Sequence, residues 1–117
     1  MLSINNIIYH ICRRDEWHAA IEQGVYSGSS QDNVDGFIHF STCDQINESA
    51  AKHRSGQNNL VLITVDGDLV EISLKWELSR NHEYFPHLYG DLPMNAVLKV
   101  EELPLGPDGK HMFPNLK

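Results

Sequence analysis

The 117 residues predict an α+β domain in which two early helices pack against a compact sheet system. Strand-like and helix-like hydrophobic patterns alternate as far as Arg54, and only strand-like runs follow. The absence of a helical period in the second half argues against a doubly wound parallel sheet. The length suits one core without disulfide or metal staples, so a single domain over residues 1–117 is expected, and neither an internal repeat nor a low-complexity linker interrupts it.

Ile7-Ile8-Tyr9-His10-Ile11-Cys12 is β-branched and aromatic and reads as a strand. Alternation places Ile7, Tyr9 and Ile11 on one face and Ile8, His10 and Cys12 on the other. Both faces are largely apolar, so the strand is predicted central and His10 projects from a buried or cleft-facing position. Asp15 and Glu16 open a helix with Trp17, Ala20 and Ile21 at helical spacing and Gly24 placed to end it. The stretch from Tyr26 to Asp35 reads as a polar, mobile loop and a candidate lid.

In the next stretch, Asp35 to Thr42, a short strand puts Phe37, His39 and Ser41 on one face and Ile38 and Phe40 on the other. Thr42 with Gln45 three residues on has the form of a capping box for a helix running to about Arg54, with Ile46, Ala50 and His53 on one side. Leu60 to Val65 is a buried strand ending in the turn Asp66-Gly67-Asp68. Ile72, Leu74, Trp76 and Leu78 then alternate with polar residues as a half-exposed strand, with Glu77 on its polar face. Pro86 disfavours a long central strand through Phe85 to Gly90, so a short extended segment is expected there. Ala96 to Leu103 is the last strand, and a Pro- and Gly-rich tail over 104–117 is predicted to lie along the surface as an extended arm.

A net charge of −7 argues against a nucleic-acid backbone as partner, because phosphate tracking needs a basic face. No apolar run reaches the ~18 residues that a membrane span needs, and the first residues lack a signal-peptide layout. Cys12 and Cys43 make neither a disulfide framework nor a CxxC site, so a reduced, cytoplasmic setting is expected. Seven histidines are a high count for this length. His18, His53, His82 and His111 stand among polar residues and are read as solvated, whereas His10 and His39 each sit on an apolar strand.

Three chemistries compete for these residues. A metal site would draw on His10, His39, His87 and Glu77, yet no local spacing such as HExxH supports it. Nucleophilic catalysis by Ser41 or Cys43 lacks a GxSxG elbow. A nucleotide cleft is the third, with histidines on ribose hydroxyls and phosphates, an aromatic ring against a base and a carboxylate at a sugar centre. No GxGxxG or P-loop is present, so such a cleft would use another scaffold. Each residue also has a purely structural reading: His10 and His39 as hydrogen-bonded core residues, Ser41 and Thr42 as helix caps, and Glu77 as solvated surface.

The blocks Ile8-Tyr9-His10-Ile11, Trp17 with Gly24-Val25-Tyr26, Asp35 to Thr42 and Phe85-Pro86-His87-Leu88-Tyr89-Gly90 resemble the signatures of the domain of unknown function 952 family. Trp76-Glu77 and the Ala96-Val97 strand fit it too, so the resemblance spans about residues 6–103. Such proteins have no established activity, and their fold has been likened to the ADP-ribosyltransferase type, a compact split or mixed sheet whose cleft binds NAD. The resemblance implies NAD as cofactor and a site on the first two strands, at His10 and at His39 or Ser41, with Glu77 as the later glutamate. His39 replaces the usual second-strand tyrosine or serine, which disfavours ordinary protein ADP-ribosylation and leaves room for a related transfer such as NAD-dependent RNA phosphate removal. The acidic charge weighs against the RNA version.

The leading expectation is therefore an NAD- or nucleotide-binding transferase-like domain with Glu77 and His39 as catalytic residues. His10, Ser41, Thr42, His87 and Tyr89 would bind the ligand: His10 with His39 at ribose and phosphate, Tyr89 against a ring. The alternative is a non-catalytic module that takes a small anionic ligand or a protein partner in the same histidine-lined cleft.

Overall fold

The structure, a computed structural model, describes residues 6–116; the first five residues and Lys117, the end of the predicted tail, lie outside the described residues. Among the described residues three α-helices and eight strands follow one another as β1 (Ile7–Arg13), α1 (Arg14–Gln23), β2 (Val25–Tyr26), α2 (Ser30–Asp35), β3 (Ile38–His39), α3 (Ile46–His53), β4 (Leu60–Asp66), β5 (Leu74–Leu78), β6 (Tyr84–Leu88), β7 (Leu92–Pro93) and β8 (Val97–Leu103). The α+β class and the early helices are as expected. The sheets are not mixed: β1-β4-β8, β2-β7 and β3-β6-β5 are all antiparallel, and a third helix, α2, joins the predicted two. Among the described residues no helix is long and apolar enough to cross a membrane.

The alternation along β1 divides the core as the sequence predicts, and β4, read as a buried strand, alternates in step with it. Ile8, Cys12, Val61, Ile63 and Val65 face one cluster, into which α1 drops Trp17 and Ala20. Tyr9, Ile11, Leu60 and Leu62 face a second, covered by Ile46 and Ala50 of α3 and by Leu103. Gly24 closes α1 in the left-handed conformation at φ 86°, donating to the carbonyls of Ala20 and Ile21. The C-terminal arm has no long strand or helix, but Phe113 and Leu116 anchor it on the second cluster.

The first and third sheets meet at one point. After β3 the chain leaves β6 and bonds β1 instead: Ser41 and Tyr9 exchange two backbone hydrogen bonds of 2.8 Å. Pro86 sits where this happens. Its carbonyl accepts the Phe40 N–H at 3.0 Å, but proline has no N–H to return, so the ladder stops. β6 is short, 5 residues, as expected, but it lies between two strands with Pro86 in its middle, because the missing donor falls where β3 ends.

Further expectations are corrected. The polar stretch before β3 is no mobile lid: Ser29 caps α2, Gly36 ends it at φ 87°, and Asp32 is buried. Ile72 does not extend β5 but stands fully exposed in a 3-10 segment, Gly67–Ser73; Ala96 similarly belongs to a short 3-10 turn before β8. On β5 Leu74, Trp76 and Leu78 share one face as alternation required, but only Leu74 packs against the core; Trp76 and Leu78 are exposed, and Glu77 on the other face bonds His87.

Candidate functional site

The antiparallel register of β3 with β6 sets His39 directly opposite His87, with ring centroids 5.5 Å apart. Alternation gives both the same face, shared by Phe37, Tyr89, Phe85 and Glu77. Of these, His39, His87 and Phe85 line a cleft of about 780 Å³, together with His10, Asp32, Ser41 and Arg54. Its size is that of a small-molecule site.

Each of the two imidazoles is held by its own carboxylate. The Asp32 side chain accepts from His39 Nδ1 at 2.6 Å, and the Glu77 side chain accepts from His87 Nδ1 at 2.8 Å. Nδ1 being committed in both rings, chemistry at either runs through Nε2. His39 Nε2 lies 3.2 Å from an Asp35 oxygen near the surface. An ionised carboxylate only accepts, so that contact is a hydrogen bond only in the protonated ring; in the neutral ring Nε2 is a base at the cleft. His87 is rigid as well as oriented, since Phe37 stacks on it at 4.1 Å and 25°.

Asp32 is the most heavily engaged group of the site. One oxygen accepts the His39 N–H (3.2 Å) and Nδ1; the other accepts the Ser29 N–H and hydroxyl at 2.8 and 2.9 Å. Burial alone would raise its pKa, but the His39 bond and the backbone donors of Ser29 and His39 overcome it and hold the carboxyl well below the usual range. Glu77 is also held low, by the Tyr89 hydroxyl and then by His87. The Tyr89 hydroxyl donates to the same Glu77 oxygen at 2.7 Å, and its pKa rises in return.

His10 proves to be tied within the protein. Nδ1 faces the His39 carbonyl at 2.5 Å, and a carbonyl only accepts, so Nδ1 carries the proton. Nε2 then accepts the Tyr26 hydroxyl at 2.7 Å. Burial lowers the His10 pKa despite the Asp32 charge, which keeps the ring neutral. Both nitrogens are satisfied, and the ring fixes the β3 backbone beneath His39. Ser41 reaches the cleft, with its hydroxyl 2.8 Å from that of Ser49.

Of the residues singled out from the sequence, His10, His39, Ser41 and His87 line the cleft together. Glu77 and Tyr89 stand behind His87, and Thr42 serves the turn before α3, its N–H donating to Gln45 Oε1 at 3.0 Å. Among the described residues no three His, Cys, Asp or Glu are arranged to hold a metal ion. Cys12 is buried in the core, and burial pushes its thiol up to about 12, far from a nucleophile's range. Sequence reading missed Asp32, Tyr26 and Arg54. The spacing Ser29-x-x-Asp32 was the available signal, being that of a capping box with an acidic third residue.

The chain is similar to solved structures of CC0527 of Caulobacter crescentus, a structural genomics target. Its crystal structure is 45% identical with a TM-score of 0.88, over 92% of this chain and 94% of that one. A double mutant gives the same values, and the solution NMR structure gives 46% identity and a TM-score of 0.79 over 89% of this chain and 90% of that one. No curated protein matches the chain. Residues 11–100 match the family described as "Protein of unknown function (DUF952)", and the chain belongs to that family.

Proposed function

We propose that the cleft takes a nucleotide-type anionic ligand, NAD or a fragment of it, in the manner of an ADP-ribosyltransferase-like domain, with His39 and His87 as the groups that touch it. The observation that carries this reading is the facing pair of imidazoles, each backed by its own carboxylate on a neighbouring element. Such a pair supplies one base and one acid at a fixed separation, the requirement for moving a proton on each side of a reacting ribose or phosphate. Lys52 and Arg54 at the cleft add positive charge for phosphate oxygens. In this reading Asp32 and Glu77 are positioning residues that act through the histidines, His10 supports the β3 backbone and Ser41 lines the wall. NAD, when bound, would supply a labile bond between nicotinamide and ribose.

One observation favours the non-catalytic alternative. The hydrogen bonds of Glu77 go to His87 and Tyr89, away from the position of a carboxylate that would polarise a ribose hydroxyl directly.

A thermal-shift series with NAD, ADP-ribose, AMP and inorganic phosphate tests binding. A ligand at a hundred times its Kd should add ~2.7 kcal/mol of stability. His39→Gln and His87→Gln should each abolish most of that shift while remaining folded. Nicotinamide release by the wild type that Glu77→Gln diminishes would establish turnover. Binding without release in either form would favour the module. No shift with any of the four ligands would remove the nucleotide reading.

A further inference from the structure

We propose that β5 is a homodimer edge, pairing antiparallel with β5 of a second copy about a two-fold axis at Trp76, so that the two β3-β6-β5 sheets join into one of six strands. β5 is bonded to β6 on one side only. The backbone phase on its other side can be read from the bonds that β6 receives. Tyr89 N–H donates to the Ser73 carbonyl and Ser79 N–H to the Glu83 carbonyl, so odd-numbered residues bond inwards. The even-numbered Leu74, Trp76 and Leu78 therefore direct their N–H and C=O groups to the open edge. Leu74 N–H turns back to the Glu71 carbonyl, which leaves the groups of Trp76 and Leu78 and the Leu74 carbonyl facing out.

An antiparallel partner of the same sequence can use those groups in three registers. Centring on Lys75 sets lysine against lysine, and centring on Glu77 sets glutamate against glutamate; like charges directly opposite are unfavourable. Centring on Trp76 sets each Lys75 opposite the partner's Glu77, and Leu74 opposite Leu78. The two Trp76 residues then exchange both of their backbone hydrogen bonds, and Leu78 N–H meets the Leu74 carbonyl across the axis. Only this register is self-complementary in charge and hydrogen bonding together.

The side chains agree. Trp76 is 42% exposed and Leu78 57%, with Tyr84 beside Leu78 on β6 also exposed. An open edge carrying large apolar side chains and no proline of its own is the kind that proteins ordinarily blunt. A second copy would cover this one and extend the apolar face of the sheet across the axis. The inference does not depend on which ligand the cleft takes, although Glu77 of this edge also bonds His87.

Sedimentation velocity on the full chain over a micromolar-to-millimolar series tests it. The wild type should sediment as a dimer at the upper end. Lys75→Glu places like charges opposite twice per dimer and should weaken association about tenfold or more. Trp76→Pro removes an outward N–H that β6 does not use, so the fold should persist by circular dichroism while the dimer is lost. A wild type that remains monomeric throughout would overturn the proposal. A dimer that both folded variants retain would place the interface elsewhere and overturn it equally.

Discussion

Asp32→Asn is the perturbation that bears most directly on how the site is built. The carboxylate accepts four hydrogen bonds, two on each oxygen, and its side chain is only 3% exposed. An asparagine of the same shape presents one oxygen and one NH2. With the NH2 towards Ser29 it faces a backbone N–H that cannot turn away; flipped, it faces the His39 N–H instead. Either way at least one buried donor goes unpaired, at about 1–3 kcal/mol, and the surviving bonds lose their charge assistance. A loss of about 2–4 kcal/mol is expected. In urea, with an m-value of roughly 1–3 kcal/mol/M, the midpoint should fall by about 1–2 M. The pH dependence has a definite sign. The folded carboxyl titrates below its unfolded value of ~3.9, so its stabilisation is complete above that value and is lost as pH falls towards the folded one. Protonated Asp32 then resembles asparagine, and the gap between wild type and variant should narrow below about pH 4. A loss under ~1 kcal/mol at neutral pH, or a gap that stays constant on acidification, would refute the role assigned to Asp32.

Two other substitutions probe the same scaffold. Tyr26→Phe removes the donor to His10 Nε2 and should cost about 1–2 kcal/mol in a urea melt, with ligand shifts in the cleft preserved. In the wild type, heteronuclear NMR should find the His10 proton on Nδ1, and since burial lowers this pKa, His10 should make stability decline as pH drops below ~6.5; a proton on Nε2 would contradict the assignment. Gly28→Ala should destabilise by about 1–3 kcal/mol, because φ is 100° and the new Cβ would stand 2.8 Å from Asp32 Cβ. Gly24→Ala, equally left-handed but with open space around it, should cost distinctly less by the same measurement.

The strands were legible because they are periodic. Ile8 with Cys12 and Tyr9 with Ile11 fall into separate clusters as alternation required, and the Gly24 stop is where it was read. What alternation cannot supply is which face turns inwards. On β5 the apolar residues suggested Trp76 and Leu78 as the inner side, but the neighbours of this strand are set by β6. The bond to His87 on the next strand, ten residues away, engages Glu77 at the site, and alternation within β5 alone does not encode it. The polar stretch before β3 failed for a related reason. Its composition is that of a loop, and only the three-residue spacing of Ser29 and Asp32 hinted that its polar atoms satisfy one another locally. The histidines were visible by their rarity on apolar strands, whereas the partners that decide what each does were not.

Those partners separate the two early histidines, which looked alike in sequence. His10 spends one nitrogen on a carbonyl and the other on a phenol, so a ligand reaching it would first have to break a buried bond. His39 spends Nδ1 on a buried carboxylate and keeps Nε2 at a ring edge 41% exposed, where a small movement of Asp35 frees it. The His10 bond to the His39 carbonyl links these arrangements, since it fixes the β3 backbone from which the His39 ring projects. One histidine holds the strand and the other presents the chemistry, and His87 on the adjacent strand repeats the second arrangement with Glu77 in the place of Asp32.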